Sequence, residues 1–212
     1  MRSTLTLEVE GSSLARTGAD LAVAGFFRDQ RPLAGGAGLA DWRLCGWLSG
    51  LLEETRMRGD VGEGVLLLTH GRLRAPRLLL IGLGPSARYG SDAHRLAVRD
   101  ALVRALDLGA ASLALDLPAP IADPSAERVA RDLLEGAFEA LESRSARVVL
   151  RVAAPGGAAR LRTALEQSAT ALPKGSTSLK LVRPPPPVAR PAEPSAVRPG
   201  EPRPPAPVRS RS

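Results

Sequence analysis

Two glycines one residue apart, Gly82 and Gly84, close the apolar run Arg77-Leu78-Leu79-Leu80-Ile81 and stand ahead of a helical pattern starting near Ser91. A glycine pair between a strand and a helix can free backbone N–H groups to cradle a phosphate. Pro85 removes one such donor, and no third glycine stands at the dinucleotide-fingerprint spacing. A strand-ending turn is therefore the stronger expectation, with Gly82 and Gly84 as weak candidates for cofactor contact. The chain has two histidines and one cysteine. These counts exclude an intrachain disulfide, a four-thiolate zinc site and a three-histidine metal site. Neither His70 nor His94 has a Ser, Asp or Cys partner at a recognisable catalytic spacing, so both are expected to be solvated, one in a loop and one in the first turn of a helix. Cys45, beside Leu44, is expected to be a small buried core residue, and Trp47 to be core as well; for Trp42 a surface anchor toward a partner is the lesser reading. No catalytic residue, no metal ligand and no cofactor are expected from these types and spacings.

The elements that carry these residues are legible from periodicity. Thr4–Val9 alternates as a strand, and Asp20–Phe27 is a near-continuous apolar run of strand length. Leu39–Arg56 reads as one amphipathic helix with Leu44, Trp47, Leu48, Leu51 and Leu52 on one face. Val65–Thr69 and Arg77–Gly82 lack alternation, which predicts strands buried on both faces. Ser91 or Asp92 caps a helix to Leu108, stopped by Gly109, with Asp100 and Arg104 paired outside. Ser112–Leu117 is a strand, and Asp123-Pro124 predicts the start of a helix carrying Val129, Leu133, Ala137 and Leu141 inward. Arg147–Val152 is a strand. Pro155–Leu172 is a helix with Ala158, Leu161, Leu165 and Leu172 inward, and Ser178–Val182 is a last short strand. Strands alternating with helices, with two strand pairs lacking one, predict an α/β fold: a three-layer α/β/α domain with a mixed central sheet.

Composition divides the 212 residues at Val182. Hydrophobic residues make up 44%, enough for a core. Arg183–Ser212 holds 11 of the 19 prolines and six arginines against two glutamates, which is +4 of the net +7. Its apolar members are only Val and Ala, so it is expected to be a disordered Pro/Arg-rich tail following a domain at 1–182. The apolar runs are far below the ~20 residues of a membrane span. The polar, alternating N-terminus has no export-signal core and the thiol stands alone, so a cytoplasmic location is expected.

The block from Asp20 to Gly84 resembles the N-terminal domain of the M17 leucyl aminopeptidase, or cytosol aminopeptidase, family. The resemblance rests on Val23-Ala24-Gly25-Phe26-Phe27, then Leu33, then Leu48-Ser49-Gly50-Leu51-Leu52. It continues through the turn Gly59 to Gly64 and Val65-Leu66-Leu67-Leu68, and closes on Arg77-Leu78-Leu79-Leu80-Ile81-Gly82-Leu83-Gly84. It implies a macro-domain-like α/β/α module that precedes a separate two-metal catalytic domain. The family's catalytic signature, N-T-D-A-E-G-R, does not occur here, and no residue of the family's metal or catalytic set can be carried onto this sequence.

The reading that follows is a non-catalytic interaction or regulatory module whose partner is a protein, an aminopeptidase among the candidates. The alternatives are a nucleotide such as ADP-ribose held near Gly82 and Gly84, and weak, sequence-blind binding of DNA or another polyanion through the basic tail.

Overall fold

The computed structural model describes residues 3–142, 144–171 and 177–182. The expected tail at 183–212 and the inward position of Leu172 lie outside them. The strands are β1 (Ser3–Glu10), β2 (Leu21–Phe26), β3 (Gly64–Leu68), β4 (Arg77–Gly82), β5 (Ser112–Asp116), β6 (Arg147–Ala153) and β7 (Thr177–Val182). They form one sheet in the order β3-β4-β2-β5-β6-β1-β7. Only β3 runs antiparallel to its neighbour, with Leu66 opposite Leu79; the other pairs are parallel.

The helices are α1 (Gly35–Arg43), α2 (Trp47–Glu53), α3 (Ser91–Asp107), α4 (Ala126–Leu141) and α5 (Ala158–Thr170). Helices α3, α4 and α5 cover one face, where Leu5, Leu7, Leu113 and Leu150 of the strands meet Val98, Leu102, Leu133 and Leu165. Helices α1 and α2 cover part of the other, packing Ala37, Ala40, Leu48 and Leu51 on Ala22, Ala24, Leu78 and Leu80. This is the expected three-layer α/β/α arrangement with a mixed sheet. The alanines of β2 and α1 are small, which lets α1 lie close to the strands.

Local polar bonds fix the turns. The Asp41 carboxylate accepts from the N–H of Leu48 at 2.9 Å and of Ser49 at 3.1 Å, so it caps α2 from the preceding helix. Glu63 accepts from the N–H groups of Arg58, Gly59 and Asp60 at 2.9, 2.6 and 3.2 Å. That turn presses on the end of β4, where a Cβ at Gly82 would lie 2.1 Å from the Asp60 carbonyl oxygen.

Six expectations are corrected. Leu39–Arg56 is not one helix: Cys45 and Gly46 take φ of +59° and +81°, and the chain restarts at Trp47. The break rotates α2 so that Leu48 and Leu51 face inward; Trp47 is 47% exposed and Cys45 is exposed. Val65–Thr69 is not buried on both faces. As β3 it forms the sheet edge, with Leu66 and Leu68 44% and 58% exposed, because pairing back antiparallel leaves it beyond the helical layers. Asp123-Pro124 does not start α4: Ser125 is its cap, its hydroxyl accepting from Arg128 N–H, while Asp123 accepts from Ser125 N–H. His94 is not solvated but 1% exposed.

The burial contrast gives a direct check. Leu102→Ala should cost about 3 kcal/mol in urea unfolding because it opens a cavity under α3. Leu68→Ser should stay within about 0.5 kcal/mol, as expected for an exposed edge position.

Candidate functional site

Connections leave the carboxyl ends of β2 and β5 in opposite directions, β2 toward β4 by α1 and α2, β5 toward β6 by α4. In a parallel sheet such a divergence opens a crevice that ligands commonly use. Here it is a cavity of about 160 Å³ lined by Phe26, Phe27, Leu33, Gly35, Gly36 and Asp116 among others. Gly35 has a φ of +57°, and a Cβ at Gly36 would lie 2.7 Å from the Asp116 side chain, so the two glycines admit the carboxylate to the start of α1.

Asp116 accepts a hydrogen bond from the Gly36 N–H, and no ion pair with another described residue reaches it. Burial pushes its pKa up to about 6, against the pull of the Gly36 N–H. Such a carboxyl can exchange a proton in mild acid, but no nucleophile or second carboxylate lines the crevice beside it. Its charge also occupies the helix N-terminus that a phosphate would need, which makes the crevice unfavourable to anions.

A second polar cluster lies between α3 and α4. The Ser91 hydroxyl donates to Asp132 at 2.6 Å, His94 Nδ1 stands 3.5 Å from the other Asp132 oxygen, and Arg128 lies 3.8 Å from the carboxylate. Tyr89 meets Phe27 and His94 edge-on, with ring centroids 5.1 and 6.0 Å apart. Burial holds the His94 pKa below its usual value, with the Asp132 charge opposing, and burial raises that of Tyr89. Ser91 bonds to the carboxylate and not to the imidazole, so this is no activated nucleophile. It ties two helices together in the core. The cluster places a carboxylate in the core: Asp132 is 0% exposed. Its signal was its place directly before Leu133 on the apolar side of α4. Asp116 carried a weaker one, a lone charge ending an apolar strand.

The structure places the sequence candidates elsewhere. The N–H groups of Gly82 and Gly84 donate to the Glu63 and Gly59 carbonyls at 3.0 and 2.7 Å, and Gly84 O accepts from Arg28 N–H. Both amides are thus engaged within the chain. His70 is exposed in the β3–β4 loop at a φ of +48°. Cys45 accepts a contact from Arg72 Nη1 at 3.2 Å. Trp42 is 71% exposed at the end of α1. Among the described residues no three His, Cys, Asp or Glu side chains are grouped to hold a metal ion, so they do not fit the two-metal set that the resemblance implies for a neighbouring domain. No helix among the described residues is long and apolar enough to cross a membrane.

Residues 23–146 match the cytosol aminopeptidase family, N-terminal domain. The chain belongs to that family. It is 34% identical over 95 residues to a probable cytosol aminopeptidase of Nitrosospira multiformis, covering 45% of this chain and 18% of that protein. It is 42% identical over 87 residues to the probable cytosol aminopeptidase of Chlorobium luteolum, covering 37% and 17%. The matched region thus spans less than a fifth of these relatives' length. Among solved structures, a tomato leucine aminopeptidase mutant has a TM-score of 0.58 at 19% identity, covering 80% of this chain and 36% of that one. An Oceanobacillus iheyensis macrodomain with ADP has a TM-score of 0.57 at 11% identity, covering 77% and 92%. At these identities the likeness shows the fold alone.

Two pH effects follow, of opposite sign. Between 3.8 and about 6 native Asp116 binds a proton the unfolded chain has lost, so it subtracts stability as pH rises through that window. Asp116→Asn should therefore raise stability by about 1–2 kcal/mol at pH 8, below the full conversion of the shift because the group is partly solvated, and by nothing near pH 3.5. His94 acts on the other side: below 6.5 the unfolded chain takes a proton the native state resists, so stability falls as pH drops. With the Asp116 effect removed by Asp116→Asn, urea midpoints at pH 7.5 and 5.5 should differ less once His94→Gln is added.

Proposed function

We propose that this chain works in the cytoplasm as a non-catalytic module of the cytosol aminopeptidase type, acting by binding a protein, with an aminopeptidase as the first partner to test. The observation that carries this reading is the corner between α1 and α2. There Trp42 and Trp47, 71% and 47% exposed, stand either side of the Cys45–Gly46 break. Exposed tryptophans beside arginines are the composition of an interface hot spot. Family membership supplies the kind of partner, since this domain type occurs joined to a peptidase in the relatives.

The competing reading is an ADP-ribose-type nucleotide at the carboxyl ends of the strands. It rests on the fold shared with macrodomains, one of which is solved with ADP. The Asp116 charge and the engaged amides of Gly82 and Gly84 weigh against it. Calorimetry with ADP-ribose should show no binding heat; saturable heat lost in a crevice variant would favour the nucleotide instead.

Two measurements test the main reading. The purified chain should not turn over leucine p-nitroanilide with Mn²⁺ or Zn²⁺ added, and metal-dependent turnover would overturn it. Sedimentation with a purified cytosol aminopeptidase should show a complex, weakened about tenfold or more by Trp42→Ala/Trp47→Ala, as for paired hot-spot losses.

A further inference from the structure

At the end of the sheet opposite the Asp116 crevice, an open groove of about 380 Å³ is lined by four arginines, Arg16, Arg43, Arg72 and Arg74, with Ala15 and Leu73 as its apolar floor. The four come from three places in the chain: the 3-10 turn Leu14–Arg16, the last residue of α1, and the β3–β4 loop. Among the described residues none of them forms an ion pair, whereas seven other arginines of the chain do. Arg43 lies over the Trp42 ring at 5.3 Å, and its Nε is buried without a hydrogen-bond partner. The Arg72 side chain touches the Cys45 sulfur at 3.2 Å, and Arg16 and Arg74 are exposed. Four guanidinium groups converging without a counter-charge repel one another, and an anion supplied from outside relieves that repulsion while taking paired N–H···O bonds.

We propose that this groove docks an acidic segment of a protein partner, its carboxylates on Arg16, Arg43, Arg72 and Arg74 and an apolar side chain against Trp42. The proposal rests on the interaction reading above and names the chemistry of the partner. Charge complementarity selects the occupant. The chain's own residues 183–212 carry six arginines against two glutamates and have the wrong sign to fill the groove. A second copy, at net +7, meets the same repulsion. A nucleic acid would want a long basic track and free aromatic faces for stacking. This groove is short, and Arg43 already covers one face of the aromatic ring beside it. A peptide of acidic residues around one apolar side chain matches both parts: forked donors for carboxylates, and the uncovered face of Trp42.

The test uses the full chain and a fluorescein-labelled peptide of glutamates flanking a single leucine, read by anisotropy at low and at physiological salt. Wild type should bind, more weakly as salt rises. Arg72→Glu/Arg74→Glu should lose about tenfold or more in affinity, since like charges then face the peptide. Arg99→Glu, an exposed position on α3 outside the groove, should bind as wild type does, and circular dichroism confirms that each variant is folded. A variant with the six arginines of 183–212 changed to serine should keep the part of the affinity that Arg72→Glu/Arg74→Glu removes. Binding unchanged in Arg72→Glu/Arg74→Glu overturns the proposal. So does a single-stranded oligonucleotide that outcompetes the peptide and depends on the same arginines, which would make the groove a nucleic-acid site. Failure of the aminopeptidase complex with peptide binding intact removes only the broader reading. A complex that forms but ignores Arg72→Glu/Arg74→Glu removes only this one.

Discussion

Strands β2 and β4 have almost no solvent face, since every residue of β2 and all but the first of β4 are buried. A parallel strand in that position is stable only with a helical layer on each side, because its apolar surface would otherwise meet water. This constraint sets the rest of the architecture. It places α3 on one side, with α1 and α2 on the other, and it sends the chain out of β2 and β5 in opposite directions, which is what opens the crevice at Asp116. It also decides where the layers stop. Beyond β4, strand β3 completes the sheet as an edge with Leu66 and Leu68 partly bare.

Helix α1 links the two chemically distinct ends of the molecule. The Asp116 carboxylate meets its first turn through the Gly36 N–H, and Arg43 is its last residue. Negative charge at the amino end and positive charge at the carboxyl end both suit the helix dipole. The result is an acidic, narrow crevice at one pole and a basic, open groove at the other. The first disfavours phosphate. The second carries Arg43, which lies over the exposed Trp42 ring.

The break after α1 is responsible for that surface. A continuous helix over 39–56 would have turned Trp47 inward with Leu48 and Leu51. The left-handed conformation of Cys45 and Gly46 resets the phase, and the apolar stripe of α2 continues without the tryptophan. Periodicity could not show this, because Leu44, Trp47, Leu48 and Leu51 satisfy a helical spacing whether or not the axis is broken between them. The same limit applies to Val65–Thr69. An apolar run without alternation reads as a central strand, and only its antiparallel pairing with β4 puts it at the edge. The burial of His94 was illegible for a related reason, since it sits on its own helix as a polar residue and becomes core only when α3 packs on α4.

By itself the sequence determined the seven strands, the α/β layering, the apolar stripes of α3, α4 and α5, the separate composition of 183–212 and the family. These depend on local periodicity and composition, which are written residue by residue. Tertiary structure alone decided which charges lack a partner. Arg16, Arg43, Arg72 and Arg74 are scattered over some sixty positions, and Asp116 is eighty residues from the glycine that donates to it. Whether a charge is paired, buried or left open is a property of distance in space, and no spacing along the chain encodes it.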